Sequence, residues 1–161
     1  MMDDLTSKTL IIGLGNPILG DDGVGWRVAD QLADRIGERP DIEVDCAALG
    51  GLSLMERMTG YGRVILIDAM YTGQHALGTI NQFALCDLPD PTAGHSGSAH
   101  DTSLRNALNV GRSMDIPLPK DENVLIVAIE AENIYDFSEQ LSPAIESAVP
   151  VAVETILGLL N

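Results

Sequence analysis

Apolar residues in this chain keep two rhythms. Leu10, Ile11, Ile12 and Leu14 form a nearly unbroken run, as do Val64 to Ile67 and Val124 to Ile129. Runs this short and this apolar suit strands buried on both faces, as in a parallel sheet. Positions 42–48 read as a further strand, and 78–85 as one more, set at an edge. Between them the rhythm changes. Val24, Val28, Leu32 and Ile36 recur every four residues, Ala29 and Ala33 widen the stripe, and Arg27, Asp30, Gln31, Asp34 and Arg35 lie away from it. That spacing predicts an amphipathic helix.

Three more helices follow from the same reasoning. Gly50-Gly51 is a turn before a short helix at 52–58. Leu104, Ala107, Leu108 and Gly111 share a helix face, with Asp101 or Thr102 as its N-cap. Ser142 caps a last helix with Pro143 at its first position; Ile145, Val149, Val153, Ile156 and Leu160 line one side, and Pro150 should kink it. Residues 89–99, rich in Pro, Gly and Ser, and 115–123, with Pro117 and Pro119, read as loops. The alternation predicts an α/β protein: a three-layer α/β/α domain over residues 1–161, with a mostly parallel sheet and an antiparallel edge strand.

Composition narrows the function. With 161 residues and 45% apolar content, the chain can bury a real core. Nine basic residues against 24 acidic ones give a net charge of −15. Nucleic-acid binding relies on Lys and Arg neutralising phosphates, so that class is not expected. No apolar run approaches the length of a membrane span. The start, Met1-Met2-Asp3-Asp4, is acidic where a signal peptide is basic, so a cytoplasmic location is expected. Cys46 and Cys86 have no metal-binding or redox spacing and read as buried free thiols.

The stretch from Gly13 to Gly25, GLGNPILGDDGVG, follows the first strand. A dinucleotide fingerprint would need a third glycine at position 18, which is Ile18, and Asp21 and Asp22 would repel a pyrophosphate at the helix start. A plain structural turn is a second reading, with Asp21 or Asp22 capping the helix. Gly23 and Gly25 weaken a helix start and suit close approach by something bulky. The third reading is a carboxylate aimed at a cation or a basic peptide.

Ligands of open α/β sheets bind beyond the carboxyl ends of the strands. The opening motif leaves one such end, Asp68 closes another strand, and His100 stands between a loop and a helix. Two carboxylates and an imidazole on one rim make a three-ligand set with an open position, suited to a divalent ion such as nickel or zinc. The plain alternatives are that Asp68 caps a turn and His100 is a surface residue. His95 is a rival ligand on a less rigid support, and His75 reads as a turn residue.

Taken in order, GLGNPILGDDGVG, Gly50-Gly51, VILIDAM at 64–70 and SAHDTSL at 98–104 resemble the nickel-iron hydrogenase maturation proteases. The resemblance runs from Thr9 to the last helix. It implies a phosphorylase/hydrolase-like fold and an endopeptidase that removes a C-terminal peptide from the hydrogenase large-subunit precursor after nickel insertion. It also implies that Asp22, Asp68 and His100 contact the metal, and that Gly50 and Gly51 lie by the substrate cleft. The first acid is Glu in some members, so Asp22 is a shorter arm.

The residues fit hydrolysis by water. No Ser sits in a nucleophile elbow and no H-E-x-x-H helix is present. Nickel held jointly by precursor and rim would polarise the scissile carbonyl or activate water, with Asp22 or Asp68 as general base. The nickel is expected to arrive with the precursor, and the protein to act as a monomer. A non-catalytic checkpoint protein docking on the precursor would use the same residues. A related protease acting on another substrate is a further alternative. GLGNP also resembles the first turn of peptidyl-tRNA hydrolase, but the acidic continuation and net charge disfavour tRNA.

Overall fold

In chain order the elements are β1 (Thr6–Leu14), α1 (Val24–Ile36), β2 (Ile42–Ala47), α2 (Gly51–Arg57), β3 (Tyr61–Met70), β4 (Ile80–Ala84), α3 (Ala99–Ser113), β5 (Val124–Glu130) and α4 (Pro143–Leu159). The computed structural model describes residues 5–87 and 99–161, the side chains of 99–103 excepted. The strands form one sheet in the order β2-β1-β3-β5-β4. β1 pairs in parallel with β2 and β3, and β3 with β5, while β4 runs antiparallel along β5 at the edge. The expected α/β architecture, edge strand included, is what forms.

Side chains alternate across a strand, so each central strand feeds two cores. On one face, Ile11, Ile65, Ile67, Val127 and Ile129 meet Val28 and Leu32 of α1 and Ile145, Val149 and Ile156 of α4. On the other, Leu10, Ile12, Leu66 and Ile126 meet Leu54 and Met58 beside α2 and Leu104 and Leu108 of α3. The same alternation puts Asp68, two residues beyond Leu66, on the α2–α3 side of β3.

Some local expectations change. Ala33 is exposed, because the buried stripe of α1 is narrower than its apolar pattern. β3 continues to Met70, so Asp68 lies within the strand rather than at its end. α3 starts at Ala99, ahead of both Asp101 and Thr102, so neither is its N-cap. α4 continues through Pro150 as one element. The 89–98 part of the expected loop lies outside the described residues.

The opening glycines serve the fold itself. A methyl group on Gly25 would lie 2.5 Å from the carbonyl oxygens of both Leu14 and Ile67. One on Gly13 would lie 2.2 Å from the Gly25 oxygen and 2.9 Å from Ala29 Cβ. The bulky neighbour expected at Gly25 is therefore the sheet backbone, and at Gly23 it is Pro17, whose Cα would lie 2.9 Å from an added methyl. This contact brings the first turn of α1 down onto β1 and β3.

Gly25→Ala should abolish soluble expression or remove most of the stability, because backbone cannot retreat from backbone. Gly158 in α4 has nothing within 4 Å of an added methyl. Gly158→Ala should raise stability by up to about 1 kcal/mol. Urea unfolding of both variants checks the contrast.

Candidate active site

β1, β2, β3 and β5 point the same way, so the loops that follow them gather on one rim of the sheet. The opening loop leaves β1 there and passes through a 3-10 turn, Gly20–Gly23, directly into α1. That turn contacts β3. Gly50 and Gly51 follow β2 on the same rim; Gly51, with φ of 53°, opens α2. The last turn of α3 leads through 114–123 into the start of β5, at the opposite end of the sheet. The first turn of α3, which contains His100, therefore starts on the rim side, over the face that Asp68 occupies. The His100 side chain and all of His95 lie outside what is described.

The two adjacent aspartates have separate surroundings. Asp21 is 1% exposed. Its carboxylate accepts hydrogen bonds from Ser142 N at 2.7 Å and Ser142 Oγ at 2.6 Å, across 121 positions of sequence. A side-chain cap was expected on α1, whose N-cap position is Gly23 without a side-chain bond. Asp21 instead holds the start of α4, where the positive end of the helix dipole favours an anion. Ser142 occupies the N-cap position as expected, but its hydroxyl donates to Asp21 and caps no helical N–H.

Asp22 is half-buried, and its Oδ2 accepts the Asn16 N–H at 2.8 Å. Gly15, at φ 124°, makes room for it: a methyl there would meet the Asp22 oxygen at 2.0 Å. Asp68 is 3% exposed and stands opposite Ala128 of β5 in the sheet register. A carboxylate this buried on a strand near a ligand-binding rim is costly unless it is compensated, which marks it for a task. Among the described residues no three His, Cys, Asp or Glu side chains form a ready metal cluster. The donor set from this chain is thus two acids on the rim, with the third expected donor on α3.

A second buried acid was missed by sequence reasoning. Glu130, 2% exposed at the end of β5, accepts from Thr72 N, Thr72 Oγ1 and Gly73 N at 2.6–3.1 Å. Burial pushes its carboxyl up, but these three hydrogen bonds outweigh burial and hold it below its ordinary 4.5. It pins the loop that leaves β3, immediately after the strand that carries Asp68. Its signal in sequence, an acid closing an apolar run, is the one that selected Asp68. His75 is exposed in the turn of that loop, as expected.

The thiols do not offer a nucleophile. Burial, then Asp30 and Asp45, push the Cys46 thiol up to about 11. Cys46 is half-buried, and Cys86 is exposed rather than buried, because it sits in the 3-10 turn Leu85–Asp87 beyond the edge strand. Burial and neighbouring acids, Asp87 first, also raise the Cys86 thiol.

A protein-family model, HycI, described as hydrogenase maturation protease, matches residues 26–159. The chain belongs to the hydrogenase maturation proteases. Members of this family are peptidases. The Hydrogenase 2 maturation protease of Escherichia coli is 25% identical over 155 residues, covering 96% of this chain and 91% of that protein. The solved structure of the hydrogenase maturating endopeptidase HybD from E. coli superposes with a TM-score of 0.74 at 23% identity, covering 95% of this chain and 91% of that one. HybD from Thermococcus kodakarensis gives 0.71 at 24% identity, covering 96% and 99%. The family's fold is therefore the fold described above. The family-model match starts just after the opening motif, so Asp22 enters the comparison through the longer pairwise matches.

Asp21→Ala should cost about 3 kcal/mol, since it strips two charge-assisted bonds from a buried group, whereas Asp22→Ala should cost about 1 kcal/mol. Chemical denaturation resolves the two. For Glu130 the folded carboxyl is depressed, so its contribution is complete above the unfolded value near 4.5 and is lost as pH falls through the folded value. The stability gap between wild type and Glu130→Gln should be constant above about pH 5.5 and shrink below about pH 4.5. Denaturation series across pH 3–7 measure it.

Proposed function

We propose that this hydrogenase maturation protease is an endopeptidase that removes the C-terminal extension of a nickel-iron hydrogenase large-subunit precursor once nickel is in place. The observation that carries this reading is the convergence on one rim of the Asp22 turn, the buried Asp68 and the first turn of α3 with His100. Two oxygen donors and an imidazole suit nickel, which comes with the precursor as part of the substrate. Nickel held between precursor and rim supplies Lewis-acid polarisation of the scissile carbonyl. Asp22 or Asp68 takes the proton of the attacking water as general base. The Gly50-Gly51 turn borders the same rim and leaves space for a peptide backbone.

Water is the nucleophile in this reading. The thiols are held protonated. No Ser sits in a strand-to-helix elbow. Because the chain supplies at most three donors, metallated precursor is what it recognises, and cleavage waits for nickel. The protein is proposed to act in the cytoplasm as a monomer.

The experiment is incubation of the purified protein with nickel-free and nickel-loaded precursor, read by intact mass. Only the loaded precursor should lose its tail. Asp22→Ala, Asp68→Asn and His100→Ala should each slow that loss by about 10²-fold or more while thermal midpoints stay close to wild type. Equal cleavage of both precursors would remove the nickel gate. Wild-type rates in all three variants would remove the site. Binding of precursor with no loss of mass would leave a docking protein in place of a protease.

A further inference from the structure

Tyr135 and Phe137 are the most exposed large hydrophobic side chains among the described residues, at 82% and 85%. They follow β5 and so belong to the rim of Asp22 and Asp68. Their segment is not loose. Gly20 N donates to Ser138 O at 2.8 Å, Ser138 N to Ile18 O at 2.9 Å, and Asp21 N to Asn133 O at 2.8 Å. A methyl on Gly20 would meet the Asn133 oxygen at 2.7 Å, so the two backbones lie in contact. At its far end the Asp21 carboxylate fixes Ser142. The segment is a platform stitched to the opening motif, and its aromatic rings point into solvent.

Between this platform and the opening loop lies a recess of about 190 Å³, lined among others by Pro17, Ile18, Trp26, Glu139 and Leu141. Around it, exposed acids Glu132, Asp136 and Glu139 interleave with Ile134, Tyr135 and Phe137. Exposed aromatics on a rigid backbone lose little freedom when covered, which is the character of interface hot spots. Acids beside them favour cationic partners, and the ring faces attract Lys and Arg. The net charge of −15 acts in the same sense.

We infer that this face docks the precursor, taking a stretch of its chain that combines an apolar side chain with Lys or Arg. The apolar group fills the recess, and the cation lies over the rings among the acids. The inference rests on the processing reading above, and it assigns Tyr135 and Phe137 to affinity rather than to bond cleavage.

The test is biolayer interferometry with immobilised hydrogenase large-subunit precursor, alongside processing kinetics read by intact mass. Tyr135→Ala/Phe137→Ala should weaken binding by at least about 10-fold. It should raise the precursor concentration for half-maximal processing by the same factor and leave the rate at saturation within about two-fold. Glu132→Gln/Asp136→Asn/Glu139→Gln should weaken binding and flatten its salt dependence. Val110→Ala/Met114→Ala, on exposed positions of α3 away from the rim, should change neither.

Wild-type affinity in the aromatic double variant overturns the docking face, as does a wild type that binds no precursor. So does self-association of the wild type, seen by sedimentation and lost in that variant. Tail loss at a rate indifferent to Tyr135 and Phe137 overturns docking and leaves processing standing. Aromatic-dependent binding without tail loss does the reverse.

Discussion

Where α1 crosses the ends of β1 and β3, backbone meets backbone. Gly13 and Gly25 have no side chains to hold the helix off, and the oxygens of Leu14 and Ile67 occupy the space a methyl would need. Everything on the rim depends on this closeness. A helix starting a few ångströms higher would lift the Gly20–Gly23 turn, and with it Asp22, away from β3. The glycine-rich opening is thus read twice by the structure, as a phosphate-loop lookalike in pattern and as a packing device in fact. The missing third glycine at Ile18 does not separate helix from strand, because the contact is made by Gly25 instead.

The adjacent acids Asp21 and Asp22 show how one turn divides its labour. Burying a carboxylate costs several kcal/mol unless donors compensate it. Asp21 is compensated by a backbone N–H and a hydroxyl at the positive end of α4. That bond joins the first helical turn after β1 to the first turn after β5, and so fixes two rim loops against each other. Asp22, one residue on, sits on the other side of the turn, half-buried, with one oxygen on Asn16. Glu130 does for the loop after β3 what Asp21 does for the segment after β5. Two buried acids thus hold the loops, and two more remain for the chemistry proposed here.

Much of this was legible in the chain. The strands announced themselves because a sheet covered on both faces demands unbroken apolar runs, and α1 because its stripe repeats every four residues. The edge position of β4 followed from its weaker pattern. What stayed hidden were the relations across long separations. Nothing near Asp21 indicates a partner 121 positions away. The extra length of β3 past Asp68 follows from pairing with β5, as Ala69 and Met70 alone carry little strand signal. The start of α3 at Ala99 was missed because Asp101 and Thr102 offered plausible caps inside what is already helix. The opening motif, Asp68 and His100 could be chosen from sequence only because strand polarity places everything after a parallel strand on one rim.

That same polarity explains where the unburied apolar surface lies. Ile18 follows β1, Leu49 and Leu52 follow β2, Tyr71 follows β3, and Tyr135 and Phe137 follow β5, and all six are exposed. Loops normally present polar groups to water, so large apolar side chains after four different strands on one rim form a pattern that single exposures would not. A small-molecule site would need only the acids and a cleft. A protein substrate, on the functional reading proposed above, needs a broad, rigid and partly apolar collar around them to hold a tail while one bond is cut. The stitching of the opening loop to the 133–142 segment supplies the rigidity, and the acids along that segment bias which tails are held. Affinity and chemistry then occupy neighbouring parts of one rim, joined through the turn that Asp21 anchors and Asp22 completes.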